Sequence, residues 1–144
     1  MKLSLLVLAG ALAAAGCSTA SDDSTSSSLT STTAPTVAVV TENFSGTVQP
    51  GSNDTHSFIV TTNNAAITLA LTSAGPPSTI AMGFGLGQMV AGSCQLLSGG
   101  YGTYAAATAP QLSGTIGSGT YCVMVYDVGN QSAAITYTVV VNHY

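Results

Sequence analysis

A chain of 144 residues with one basic side chain, Lys2, five acidic ones and a formal net charge of -4 has room for a single domain and no means of gripping a polyanion. Nucleic acids, anionic membrane surfaces and phosphate groups are held through clustered Lys and Arg, so composition excludes them as partners. Hydrophobic residues make up 46%, yet no uninterrupted apolar run reaches the ~20 residues that a spanning helix needs.

Met1 and Lys2 form a short positive start, Leu3 to Ala15 is uncharged and rich in Leu and Ala, and small residues lead into Ala14-Ala15-Gly16-Cys17. This three-part layout predicts a secretory signal over residues 1–16. The Cys directly after Ala-Ala-Gly resembles the lipobox of bacterial lipoproteins, with Ala14 where that family most often has Leu. The resemblance implies that Cys17 receives a diacylglycerol and becomes the new N-terminus after cleavage. Ser18 stands where an Asp would mark inner-membrane retention, which by the same resemblance directs the protein to the outer membrane or cell surface. A lipoprotein carries at least two acyl chains, and two hold a protein on a membrane stably where one does so marginally. Once Lys2 leaves with the signal, the mature chain has neither Lys nor Arg, so stability must come from apolar burial, backbone hydrogen bonds and cross-linking.

From Ser18 to Thr36 the chain is almost wholly Ser and Thr, with Asp22, Asp23 and a late Pro35. Such a segment buries too little apolar surface to offset the entropy of ordering it. Residues 17–36 are therefore expected to be the lipidated Cys and a disordered tether, reaching roughly 20 to 25 Å on average as a random coil.

From Val37 onward, short β-branched and aromatic runs alternate with Gly, Pro, Asn and Ser, and no helical period is sustained. This predicts an all-β domain over residues 37–144. Strands are expected near Val37 to Val48, Thr55 to Thr61, Ala66 to Thr72, Thr79 to Gln88, Gly102 to Ala109, Gly119 to Asp127 and Ala133 to Asn142. A short one around Cys94 to Leu97 makes about eight. Alternation is clearest in Ile67-Thr68-Leu69-Ala70-Leu71 and Ile135-Thr136-Tyr137-Thr138-Val139, so each strand is half buried and two antiparallel sheets packed as a sandwich hide the apolar faces. Met82, Phe84 and Leu86 share one face of their strand. Gly83, Gly85 and Gly87 share the other, leaving a shallow surface for neighbouring chain, the favoured use, or for a ligand.

With Cys17 taking the lipid, Cys94 and Cys122 remain as an even pair in an oxidising compartment, which predicts a disulfide. The alternative of two reactive or metal-binding thiols lacks a Cys-x-x-Cys spacing or a basic neighbour to favour the thiolate.

Gly119-Thr120-Tyr121-Cys122 leading into a final Tyr137-Thr138 strand, together with Phe44-Ser45-Gly46 and with Asp54 ahead of Phe58-Ile59-Val60, resembles the bacterial pre-peptidase C-terminal domain. The resemblance covers nearly all of residues 37–144. It implies a jelly-roll-like sandwich, found in that family as a non-catalytic appendage of secreted proteases and as a lone surface domain. Some members bind collagen or polysaccharide, and some bind calcium. Here Ser78-Thr79-Ile80-Ala81-Met82-Gly83 lacks the acidic residues that members often carry in the central strand, so no calcium is expected. Asn53 with Asp54, and Asp127 with Asn130, offer oxygens, but calcium needs about six to eight of them, and a turn role is favoured.

Asp54 and His56, two apart on an extended strand, fall on the same side. No Gly-x-Ser-x-Gly elbow accompanies them. His56 is expected at the surface of a strand start and His143 at a frayed C-terminus, where catalytic geometry is hard to hold. Two histidines far from any acidic or Cys cluster make no zinc site. No catalytic residue, cofactor or metal is therefore expected. The expected function is a non-catalytic, lipid-anchored envelope module that binds polysaccharide or protein. The alternative is an accessory envelope lipoprotein that supports a neighbouring complex without a ligand of its own.

Overall fold

The computed structural model describes residues 37–144, which form eight strands and no helix among the described residues. They are β1 (Val40–Val48), β2 (Asn53–Val60), β3 (Ala65–Gly75), β4 (Ala81–Val90), β5 (Ser93–Ala105), β6 (Leu112–Ile116), β7 (Gly119–Tyr126) and β8 (Ile135–His143). The signal, Cys17 and the tether lie outside the described residues.

Sheet A runs β1-β8-β3-β6 and sheet B runs β2-β7-β4-β5. Every pairing is antiparallel, and the pairs β1–β8, β2–β7, β3–β6 and β4–β5 are nested like the two arms of one long hairpin. Rolling that hairpin so that its pairs alternate between two facing sheets produces the jelly roll. The alternating sequence dictates it, because each strand must hide one face: Ile135, Tyr137, Val139, Val141 and His143 of β8 are all buried while the residues between them are not. Ile135, Tyr137, Val139 and Val141 meet Met82, Phe84, Val123 and Val125 from sheet B in a single core.

Two expected strands prove to be one. Cys94 to Leu97 and the first part of Gly102 to Ala109 are joined in β5, which ends at Ala105, because the chain bulges over Leu97–Gly100 and then resumes pairing: Gly87 faces Leu96 but Gly85 faces Tyr101. Gly99, at φ 75°, adopts the left-handed backbone that this detour requires. The missed strand is β6. Its five residues carry only Leu112 and Ile116 as apolar signal, with Gly114 between them on the same face.

Beyond β6 a side chain takes over the work of a strand. Gln111 accepts a hydrogen bond from the Leu71 N–H through Oε1 at 2.8 Å, and its Nε2 donates to the Leu71 carbonyl at 3.2 Å. Leu71 is fully buried, so these groups have no recourse to water. Gln111→Ala is expected to cost about 1–3 kcal/mol in denaturant titration, the penalty of stranding the buried Leu71 N–H, whereas the carbonyl keeps its bond from the Ala107 N–H at 2.9 Å. An unchanged midpoint would show that another group replaces the amide.

Candidate ligand-binding surface

The outer face of sheet B is built in rows that cross all four strands. One row is Asn53, Tyr126, Gly83 and Thr103; the next is Thr55, Met124, Gly85 and Tyr101; the third is Ser57, Cys122, Gly87 and Leu96. None of these side chains is charged. The three glycines of β4 are the floor, and the structure shows why they are glycines. A Cβ on Gly83 would strike the Tyr126 ring, one on Gly85 would strike the Tyr101 Cβ, and one on Gly87 would lie 2.7 Å from Cys94 Sγ and 2.8 Å from Cys122 Sγ. Neighbouring chain thus occupies the shallow face, the favoured one of its two expected uses. Aromatic rings laid over strand glycines also compensate for the packing that glycine lacks.

Cys94 and Cys122 are joined in the disulfide, with Cα atoms 5.9 Å apart. They sit on β5 and β7, which flank β4, and strands two places apart in a flat sheet lie about 9.6 Å from each other. The β4–β5 hairpin therefore curls over the outer face at Gly87. Its tip, with Met89, Gly92 and Ser93, walls a concavity of about 500 Å³ floored by Asn53, Thr55, Ser57 and Met124. Tyr101 stands at the other end of the face, 50% exposed.

The titratable side chains cluster elsewhere, along the open side of the sandwich where β1 faces β2. Asp54 and His56 do share a side, as expected, and Tyr137 from β8 joins them. Its hydroxyl donates to Asp54 Oδ2 at 2.8 Å and lies 2.8 Å from His56 Nε2. The tyrosine proton is committed to the carboxylate, so His56 Nε2 must be the donor in the second bond. Gly46 leaves the room, since a Cβ there would overlap Asp54 Oδ2 and approach the Tyr137 hydroxyl to 2.7 Å. Burial, reinforced by the adjacent Asp54 carboxylate, raises the Tyr137 hydroxyl well above its ordinary value, which makes it a poor nucleophile or base.

Two expectations about histidine need correction. His56 lies inside β2 rather than at its start, and turns inward to stack on Phe44 with ring centroids 5.0 Å apart. His143 is not frayed: it is the last residue of β8, 3% exposed, and pairs with both Val40 and Ile67. Its Nε2 lies 3.2 Å from Glu42 Oε1, and its ring stacks on Phe58 at 5.4 Å. The Phe44 and Phe58 rings lie 6.4 Å apart, so His56, Phe44, Phe58 and His143 form a continuous column that closes this side. Sequence reasoning could not find the Tyr137 and Glu42 contacts, because the partners lie 83 and 101 residues apart.

Asp127 is a turn residue. Its Oδ2 accepts from the Gly51 N–H at 2.7 Å, and its Oδ1 from Gly129 at 2.8 Å, Asn130 at 3.2 Å and Gln131 at 3.3 Å. The Gly51 bond above all, with the other three, outweighs desolvation and holds the carboxyl below its usual value. Asn130 bonds the Ala81 carbonyl instead of sharing an ion with Asp127. Among the described residues no three His, Cys, Asp or Glu side chains converge as a metal site would need.

No protein-family model matches the chain, and no curated protein matches it.

Proposed function

We propose that this chain is a non-catalytic binding module of the bacterial cell envelope, held to the outer membrane or cell surface by a lipid on Cys17, and that it binds neutral polysaccharide or an uncharged protein surface. The observation that carries the reading is the outer face of sheet B. An uncharged surface on which the Tyr101 and Tyr126 side chains lie over the strand glycines, studded with Asn53, Thr55, Ser57 and Thr103, has the two elements a sugar chain needs. Aromatic faces receive the apolar C–H faces of the rings, and hydroxyl and amide groups exchange hydrogen bonds with their edges. The resemblance to pre-peptidase C-terminal domains supports the same reading, since that family is expected to share this sandwich.

The test is retention of the protein on neutral polysaccharides and on envelope polysaccharide of its own cells. Tyr101→Ala is expected to weaken retention about tenfold. Cys17→Ser should release the protein from the membrane fraction with retention intact. Equal retention of the Tyr101→Ala variant, or no retention of the parent on any of these, overturns the reading.

A further inference from the structure

The two open sides of the sandwich are finished differently. Where β1 faces β2, Glu42, Asp54, His56 and His143 turn inward. Inward-pointing ionisable groups are one of the devices that stop edge strands from pairing with other chains. Where β6 faces β5, none of the side chains lining the gap is charged, and the gap is open as a cleft of about 210 Å³.

The cleft exists because side chains are missing from both walls. Leu112, Gly114 and Ile116 share the inward face of β6, and Gly114 sits opposite Ile67. A Cβ added to Gly114 meets nothing within 4 Å. On the other wall β5 leaves its ladder over Leu97–Gly100. The floor that remains is aliphatic: Ile67, Leu69, Leu86 and Leu97. β6 is also the last strand of sheet A, so alternate backbone N–H and C=O groups face outward with no strand beyond them.

From this juxtaposition we infer that the β6 edge binds an extended, uncharged peptide segment as a fifth strand of sheet A, with one aliphatic side chain of that segment seated in the notch at Gly114. Main-chain hydrogen bonds along an edge give such a complex its affinity, and a pocket under alternate side chains gives it selectivity. Size fits a single side chain, because the notch is smaller than the ~300 Å³ at which pockets begin to take whole drug-sized ligands. Charge complementarity decides the chemistry of the partner: walls without an ionised or basic group leave any charged side chain desolvated and unpaired, whereas Leu, Ile or Val is matched. The free edge separates this partner from a lipid chain, which has no backbone to pair.

The experiment is hydrogen exchange on the full chain in phospholipid nanodiscs, with millimolar capped peptide Ser-Thr-Leu-Thr-Ser as probe and Ser-Thr-Lys-Thr-Ser as its charged counterpart. The leucine peptide should slow exchange across Leu112–Ile116 at least tenfold, leave β1 unaffected and lose this effect when lysine replaces leucine. Gly114→Val fills the notch and should abolish the protection while the thermal midpoint holds or rises. Gly114→Ala, whose added Cβ meets nothing within 4 Å, should weaken it too, which keeps the test decisive if the valine variant folds poorly. Absence of protection, protection unaltered in both variants, protection by decanoate but not by peptide, or protein that self-associates through β6 without peptide would each overturn the inference.

Discussion

Replacing Cys94 and Cys122 together by alanine should lower the stability of the domain by about 3.5 kcal/mol, read as the free energy of unfolding in denaturant with and without reductant. The bond closes a loop of 28 residues, and the magnitude follows from the entropy that such a loop removes from the unfolded chain. The loss is large against the few kcal/mol that a single small core supplies. A second effect follows from position. The crosslink is what draws the β4–β5 hairpin over Gly87, so without it the wall of the outer concavity relaxes, and exchange at Met89 to Cys94 should speed up more than in β8. A loss below about 1 kcal/mol would mean that packing alone holds the hairpin.

Tyr137→Phe should cost about 1.5–3 kcal/mol, toward the lower end because the Asp54 side chain keeps 33% of its exposure and recovers some solvation from water. The substitution removes the donor to Asp54 and the acceptor for His56 in one step, while the ring, 2% exposed, still fills its place in the core. The parent protein should also show an alkaline decline that the variant lacks. The folded-state value of the Tyr137 hydroxyl is raised above the ordinary 10.0, so its contribution is complete below about pH 10. Above that, the unfolded chain releases a proton that the folded chain retains, and stability falls as pH rises. Denaturant midpoints on either side of about pH 10 check this, and a parallel decline in the variant would assign the effect to another group.

Much of the architecture was legible because it is local. Two-residue alternation in β3 and β8, the apolar set Met82, Phe84 and Leu86, and the Cys94–Cys122 pair each follow from neighbours or from parity, and the all-β sandwich follows from them. Long-range partition was not legible. Nothing in β6 says that it pairs with β3, since Leu112, Gly114 and Ile116 give half the apolar signal of a typical core strand. Nor does a sequence announce that a glycine is empty for different reasons at different places. Gly83 and Gly87 are filled by Tyr126 and the disulfide, whereas Gly114 is open. The same limit explains the histidines: His143 reads as a loose terminal residue until β8 is seen running between β1 and β3 to its last turn of chain.

That central place of β8 sets the order in which the domain can be assembled. Sheet A has β8 in its middle, bonded to β1 on one flank and β3 on the other, yet β8 is made last. A ribosome or export channel that releases the chain from its N-terminal side delivers β1 long before the strand that gives it a neighbour. Only β4 and β5 meet through a short turn, so they are the one pair that can zip early, and the remaining pairs must wait for ever more distant partners. Removing a few residues of β8 would consequently strand β1 as well as β8 itself.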